Sequence, residues 1–223
     1  MTNESQRASA PRVFVNSRPG RDWNTCGQAA IATVLAAHFR ATPDLAPGVA
    51  STRSGVLPFE VAPADATRVL PRLAGTDGEV IDAIMTVHPP DLPFGAGTTA
   101  FRLASALRAH GLHVQRIHAG PLGFGASRSL ETLRAALARR LPVPVLVDAG
   151  RFGGRAYEAH WAIALADEGE WLRFGNLSQP VRRPLGEFLR AWACRHLPWP
   201  FNYCAVIAEA PAGARSPAAA EPA

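Results

Sequence analysis

The chain has 223 residues, 48% of them hydrophobic, which suffices for one sizeable buried core with at most a small appendage. Its formal charge of +5 sets 23 arginines, with no lysine, against 18 acidic residues; the arginines are scattered, Arg139-Arg140 and Arg182-Arg183 being the densest pairs. No basic run or aromatic-interleaved motif points to nucleic acid, no apolar run is long enough to cross a bilayer, and the three cysteines are too few for a disulfide framework.

Residues 1–11 are polar and are expected to form a flexible N-terminus. They lack the basic-then-apolar pattern of a secretory leader, which gives a cytoplasmic expectation. Val13 to Val15 is a short strand candidate, followed by a loop over 16–22. Asp22-Trp23-Asn24-Thr25-Cys26-Gly27-Gln28 then delivers a cysteine to the first turn of a helix. Ala30, Ile31, Val34, Leu35 and His38 recur at spacings of three and four, so this helix extends to about residue 40. Thr25 or Asn24 can cap it. A thiol at that point feels the positive end of the helix dipole, which favours thiolate.

Prolines at 43, 47 and 58 argue for irregular structure over 41–60. Helices are expected over 64–73 and 79–87, the second stopped by Pro89-Pro90. Gly97-Thr98-Thr99 precedes a helix over 100–110, ended by Gly111 as a C-terminal cap. Residues 112–117 form a strand candidate. Ser129 is expected to cap a helix over 130–140. The run 143–148 is β-branched, and its prolines push it toward a sheet edge or a strand start. Two further strand runs, 160–165 and 171–174, flank the turn 167–170. A helix over 184–195 and a strand over 201–208 complete the domain, and the tail 211–223 is too poor in large apolar residues to fold. Residues 12–210 thus form one domain, with helices first and antiparallel strands late: an α+β architecture.

Cys26, His160 and Asn176 stand in the chain order of a papain-type nucleophile, base and orienter. His160 lies 134 residues beyond Cys26 and Asn176 a further 16, the first spacing falling within the ~130–150 of papain-like enzymes. A hairpin over 160–176 can bring Asn176 beside His160. Cys194 and Cys204 read as small buried hydrophobes. No cysteine or histidine spacing suits a metal, and no cofactor is expected. His38, His88, His110, His113, His118 and His196 are assigned structural or surface positions. Trp23 and Trp161 are expected to wall the cleft.

Asn24-Thr-Cys26-Gly27-Gln-Ala29 resembles the nucleophile motif of the bacteriocin-processing, double-glycine-leader cysteine peptidases and their stand-alone relatives. Similar too are Gly97-Thr98 before a helix, Leu130 to Leu137 leading into Pro142 to Asp148, and His160-Trp-Ala-Ile followed by Gly175-Asn176. The resemblance covers roughly residues 12–208 and implies a papain-like fold. It also implies a cysteine peptidase-like hydrolase acting on a peptide or small amide through a Cys26-His160-Asn176 triad and an acyl-enzyme. The group usually has Asp where this chain has Asn176. Its oxyanion-hole glutamine is replaced by Gly20 six residues before the cysteine, which leaves Asn16, with the Cys26 backbone N–H, as the donors and Asn24 as a second candidate. Two alternatives stay open: an acyl transferase similar to phytochelatin synthase, and an inactive relative that binds a peptide in the cleft. Neither the oligomeric state nor the substrate's sequence follows from these residues.

Overall fold

A computed structural model describes residues 12–15, 25–40, 73–92, 97–120, 123–152, 158–177, 180–195 and 201–211. The N-terminus, all but the last residue of the expected helix over 64–73, the loops carrying Asn16, Trp23, Asn24 and His196, and the tail beyond 211 lie outside them. Within the described residues are five α-helices and six strands.

The alanine-rich stretch after Thr25 forms α1 (Cys26–Arg40), whose residues from Cys26 to Ala36 are almost all shielded from solvent. Next comes α2 (Asp77–Val87), whose Thr76 and Glu79 form a reciprocal capping box that starts it two residues before the expected point. Thr99 caps α3 (Ala100–Ala109), and Gly111, at φ +81°, reverses the chain into β1 (His113–Ile117). The helix α4 (Ala126–Ala138) begins earlier than its sequence suggests. Ser129 sits inside it, buried, and Gly125 takes the cap position without a side-chain bond. There follow β2 (Val143–Asp148), β3 (Ala159–Asp167), β4 (Trp171–Gly175), β5 (Val181–Pro184), α5 (Leu185–Trp192) and β6 (Ala205–Glu209).

The strands make one sheet in the order β1-β6-β2-β3-β4-β5, and every pairing is antiparallel. One expectation is corrected here. Val13 to Val15 is extended but pairs with no described strand; its backbone bonds Thr33 and Asp77 instead. The strand β2 is interior, and of the two places expected for its prolines the strand start is the one found, Pro144 being its second residue. The arginine pair 182–183 lies in β5, an edge strand where charged side chains reach solvent, so α5 begins only after Pro184.

Helices cover both faces of the sheet, so its inner strands are apolar on both sides. Leu146, Trp161, Ile163, Val206 and Ala208 face α1, α2 and α3. Val145, Val147, Ala162, Ala164, Ala205 and Ile207 face α4 and α5. No helix among the described residues is long and apolar enough to cross a membrane.

Candidate active site

Cys26 is the first residue of α1, where main-chain N–H groups have no intrahelical acceptor and the helix dipole is positive. Its neighbours explain how the helix comes so close to the rest of the site. A Cβ on Gly27 would sit 2.5 Å from the Cβ of Thr98, so only glycine admits this approach. Gln28 is fully buried and donates from Nε2 to the His88 carbonyl and to Thr98 Oγ1, both at 3.0 Å. Trp161 donates its indole N–H to the Thr98 carbonyl at 2.7 Å. Thr98 therefore ties the start of α1 to the middle of the sheet.

The site occupies a gap in the sheet. Pairing of β3 with β4 starts at Ile163 and Gly175, so the earlier residues of β3 have no β4 partner. Backbone groups of a strand must be paired when buried. At Trp161 the partners come from the site: its N–H bonds the Cys26 sulfur, and its carbonyl accepts from Asn176 Nδ2 at 2.6 Å. The same Nδ2 donates to the Cys26 carbonyl at 3.0 Å. Both partners are carbonyls, so the amide nitrogen must face them. Gly175 admits the close approach of Val13 here, since a Cβ on it would lie 2.7 Å from that side chain.

Asn176 itself adopts the left-handed region at φ 57°. That conformation aims its main-chain carbonyl at His160, whose Nε2 lies 2.6 Å away. A carbonyl only accepts, so Nε2 carries the proton and Nδ1 is left to face the thiol. The expected partnership of His160 with the Asn176 side chain is thus corrected. The backbone of Asn176 orients the base, while its side chain clamps Cys26 to β3, leaving Oδ1 buried and without a partner among the described residues.

Burial disfavours a thiolate at Cys26, but the hydrogen bond and charge of His160, with the N–H groups of Trp161 and Gly27, outweigh it and hold the thiol below its ordinary value. Burial likewise disfavours charge on His160. The bond and charge of Cys26, then the Asn176 carbonyl and the Glu158 carboxylate, raise it nonetheless. Both shifts favour a thiolate–imidazolium pair. The other two thiols behave oppositely: burial pushes Cys194 and Cys204 up to about 12.

The structure thus brings Cys26, His160 and Asn176 together. Of the remaining expectations, Asn16, Asn24 and Trp23 fall outside the described residues, and the Cys26 N–H keeps its place in the first turn of α1. Trp161 is not a cleft wall: its indole is 1% exposed and lies in the core. Sequence reasoning passed over Gln28 and Glu158, and it took Thr98 only as part of a motif; a polar residue on an otherwise apolar helix face was the one available signal for Gln28. Among the described residues, no group of three or more potential ligands could hold a metal ion. No protein-family model matches the chain, and no curated protein matches it.

Proposed function

We propose that the chain is a cysteine hydrolase of papain-like architecture that cleaves a peptide or small amide bond through an acyl-enzyme. The observation that carries this reading is the chain of contacts from the Cys26 thiol to His160 and on to the Asn176 carbonyl, at the positive end of a helix. A cysteine on a helix start packed against a base on an adjacent antiparallel sheet is the arrangement that papain-type chemistry uses.

In this mechanism the Cys26 thiolate attacks the carbonyl carbon, and the Cys26 N–H stabilises the oxygen as it gains charge. The His160 imidazolium then gives its Nδ1 proton to the departing nitrogen, the C–N bond breaks, and a thioester to Cys26 remains. A water enters, His160 Nδ1 takes one of its protons, and the hydroxide oxygen attacks the thioester. Collapse releases the acid and restores the thiolate. Throughout, Nε2 keeps its bond to Asn176, so the ring cannot rotate away from the sulfur.

The test is the pH dependence of Cys26 alkylation by iodoacetamide in wild type and His160→Ala. Fast labelling below pH ~7 that collapses in the variant is the expected outcome. Slow labelling that rises only around pH ~8.5, indifferent to the variant, is ordinary thiol behaviour and defeats the proposal.

A further inference from the structure

His160 has spent both ring nitrogens, Nδ1 on Cys26 and Nε2 on the Asn176 carbonyl. A third polar group beside it therefore has no N–H left to bond. Glu158 is such a group. It stands two residues before His160, and its carbonyl accepts from the Ala149 N–H at 2.8 Å, which fixes its main chain in line with β3. Residues i and i+2 of a strand project to the same side, about 7 Å apart. Ala159 between them projects the other way and packs against the core under α1. The Glu158 carboxylate is close enough for its charge to be felt at His160.

The described residues leave that carboxylate without a partner. Glu158 is half-buried, and no described residue gives its side chain a hydrogen bond or ion pair. Two cations of the adjoining segments, the turn 149–152 and β5, have partners of their own. Arg151 pairs with Asp148 at 3.6 Å, and Arg183 donates to the Phe152 carbonyl at 3.3 Å while lying over the Phe152 ring. On its β4 side, the start of β3 before Trp161 has no strand partner among the described residues, because pairing begins only at Ile163. An ionised carboxylate offers about four acceptor positions, and here none is used by the protein residues described.

Direction follows from the chemistry. The departing nitrogen must come to His160 to receive a proton, so the leaving group lies on that side of the sulfur. Continuing along β3 away from the β3–β4 hairpin, the next side chain on the His160 side is Glu158. We infer that Glu158 determines specificity, selecting substrates that carry an ammonium or guanidinium group on the leaving-group side of the scissile bond. The inference rests on the thiol chemistry proposed for Cys26 and His160.

Three methanethiosulfonates test it without a known substrate: the cationic 2-aminoethyl, the anionic 2-sulfonatoethyl and the neutral methyl reagent. In each, the Cys26 thiolate attacks the sulfenyl sulfur, a disulfide forms and methanesulfinate leaves. At low ionic strength the wild type is expected to prefer the cationic over the anionic reagent, and Glu158→Gln to lower that rate ratio by about tenfold. Glu158→Asp, which keeps the charge, should retain most of the preference. Millimolar arginine amide should slow labelling by the neutral reagent in wild type and not in Glu158→Gln.

A ratio unchanged in Glu158→Gln overturns the inference. So does a loss that is equal for all three reagents, since Glu158 would then act only through His160. Slow reaction of the wild type even with the neutral reagent is a different result: it removes the thiol chemistry beneath. Thermal melts of both variants guard against loss of fold.

Discussion

On the sheet face covered by α4 and α5, ring stacks on ring. Phe152, Phe174, Phe188, Trp192 and Tyr203 follow one another with centroids 5.0 to 5.6 Å apart. On the face covered by α1, α2 and α3 an equally buried core contains Gln28, Thr33, His88, Thr98 and His110, with Asn176 at its margin. Aromatic packing depends weakly on orientation and supplies stability through area removed from water. Hydrogen bonds between buried polar groups depend on direction, and each fixes one atom relative to another. The first face accordingly holds the fold together, and the second sets where Cys26 stands relative to β3. This division of labour can be broken by experiment.

The largest effect is expected from the apolar face. Trp192 stacks on Phe188 at 5.0 Å, meets Tyr203 edge-on and donates to the Cys204 carbonyl at 2.8 Å. Trp192→Ala should cost about 3–5 kcal/mol in urea unfolding. Below the transition, its Cys26 alkylation profile should match the wild type. A shifted alkylation midpoint in the folded variant would mean that the two faces are not separable.

Asn176 offers the opposite test at smaller cost. Asn176→Gly keeps the left-handed backbone and the carbonyl that holds His160 but removes the amide that binds two carbonyls. Net losses of roughly 1 kcal/mol per hydrogen bond give about 2 kcal/mol of destabilisation, with fast low-pH alkylation retained. Asn176→Asp has the same shape yet brings a carboxylate against the Cys26 and Trp161 carbonyls. It should lose more stability than glycine and slow alkylation below pH ~7, because a displaced Asn176 carbonyl frees the imidazole. Were Asp tolerated as well as Asn, the side chain would not be a clamp.

What the sequence reveals about this site, and what it hides, follows the same boundary. The helix after Cys26 is legible because its apolar residues repeat every three and four positions. The hairpin carrying His160 and Asn176 is legible because a turn sits between two apolar runs. Both are local patterns. The backbone role of Asn176 is hidden, since its positive φ depends on β4 ending where α1 arrives. Gly27 passes for an ordinary helix residue until Thr98, 71 positions away, is placed against it. Local signals also mislead when a stronger constraint is nearby. Ser129 has the chemistry of a cap, but α4 starts earlier and buries it. Arg182, Arg183 and Pro184 lie in an edge strand that no local pattern announced.

The most modest effect concerns a polar pair that the sequence separates by 22 positions. His88 and His110 meet through their Nε2 atoms at 3.1 Å, both buried, and neither Nδ1 has a partner among the described residues. The bond requires one ring to donate and the other to accept, so the accepting ring is neutral. Burial, joined for His88 by the charge of His110, brings them to about 3 and about 4. In the unfolded chain each titrates near 6.5, so as pH falls below that value the unfolded state takes up protons that the folded state refuses. Stability from this pair is therefore complete above pH ~6.5 and is lost as pH falls toward 4. Burial holds His38 below its ordinary value too, so the informative quantity is a difference. His110→Leu removes one titrating ring and should flatten the fall in unfolding free energy between pH ~6.5 and ~5 by about 1.5 kcal/mol relative to wild type. Equal pH slopes in the two proteins would mean that the pair is already solvated in the fold. The face that positions Cys26 would then owe its rigidity to Gln28, Thr98 and Asn176 alone.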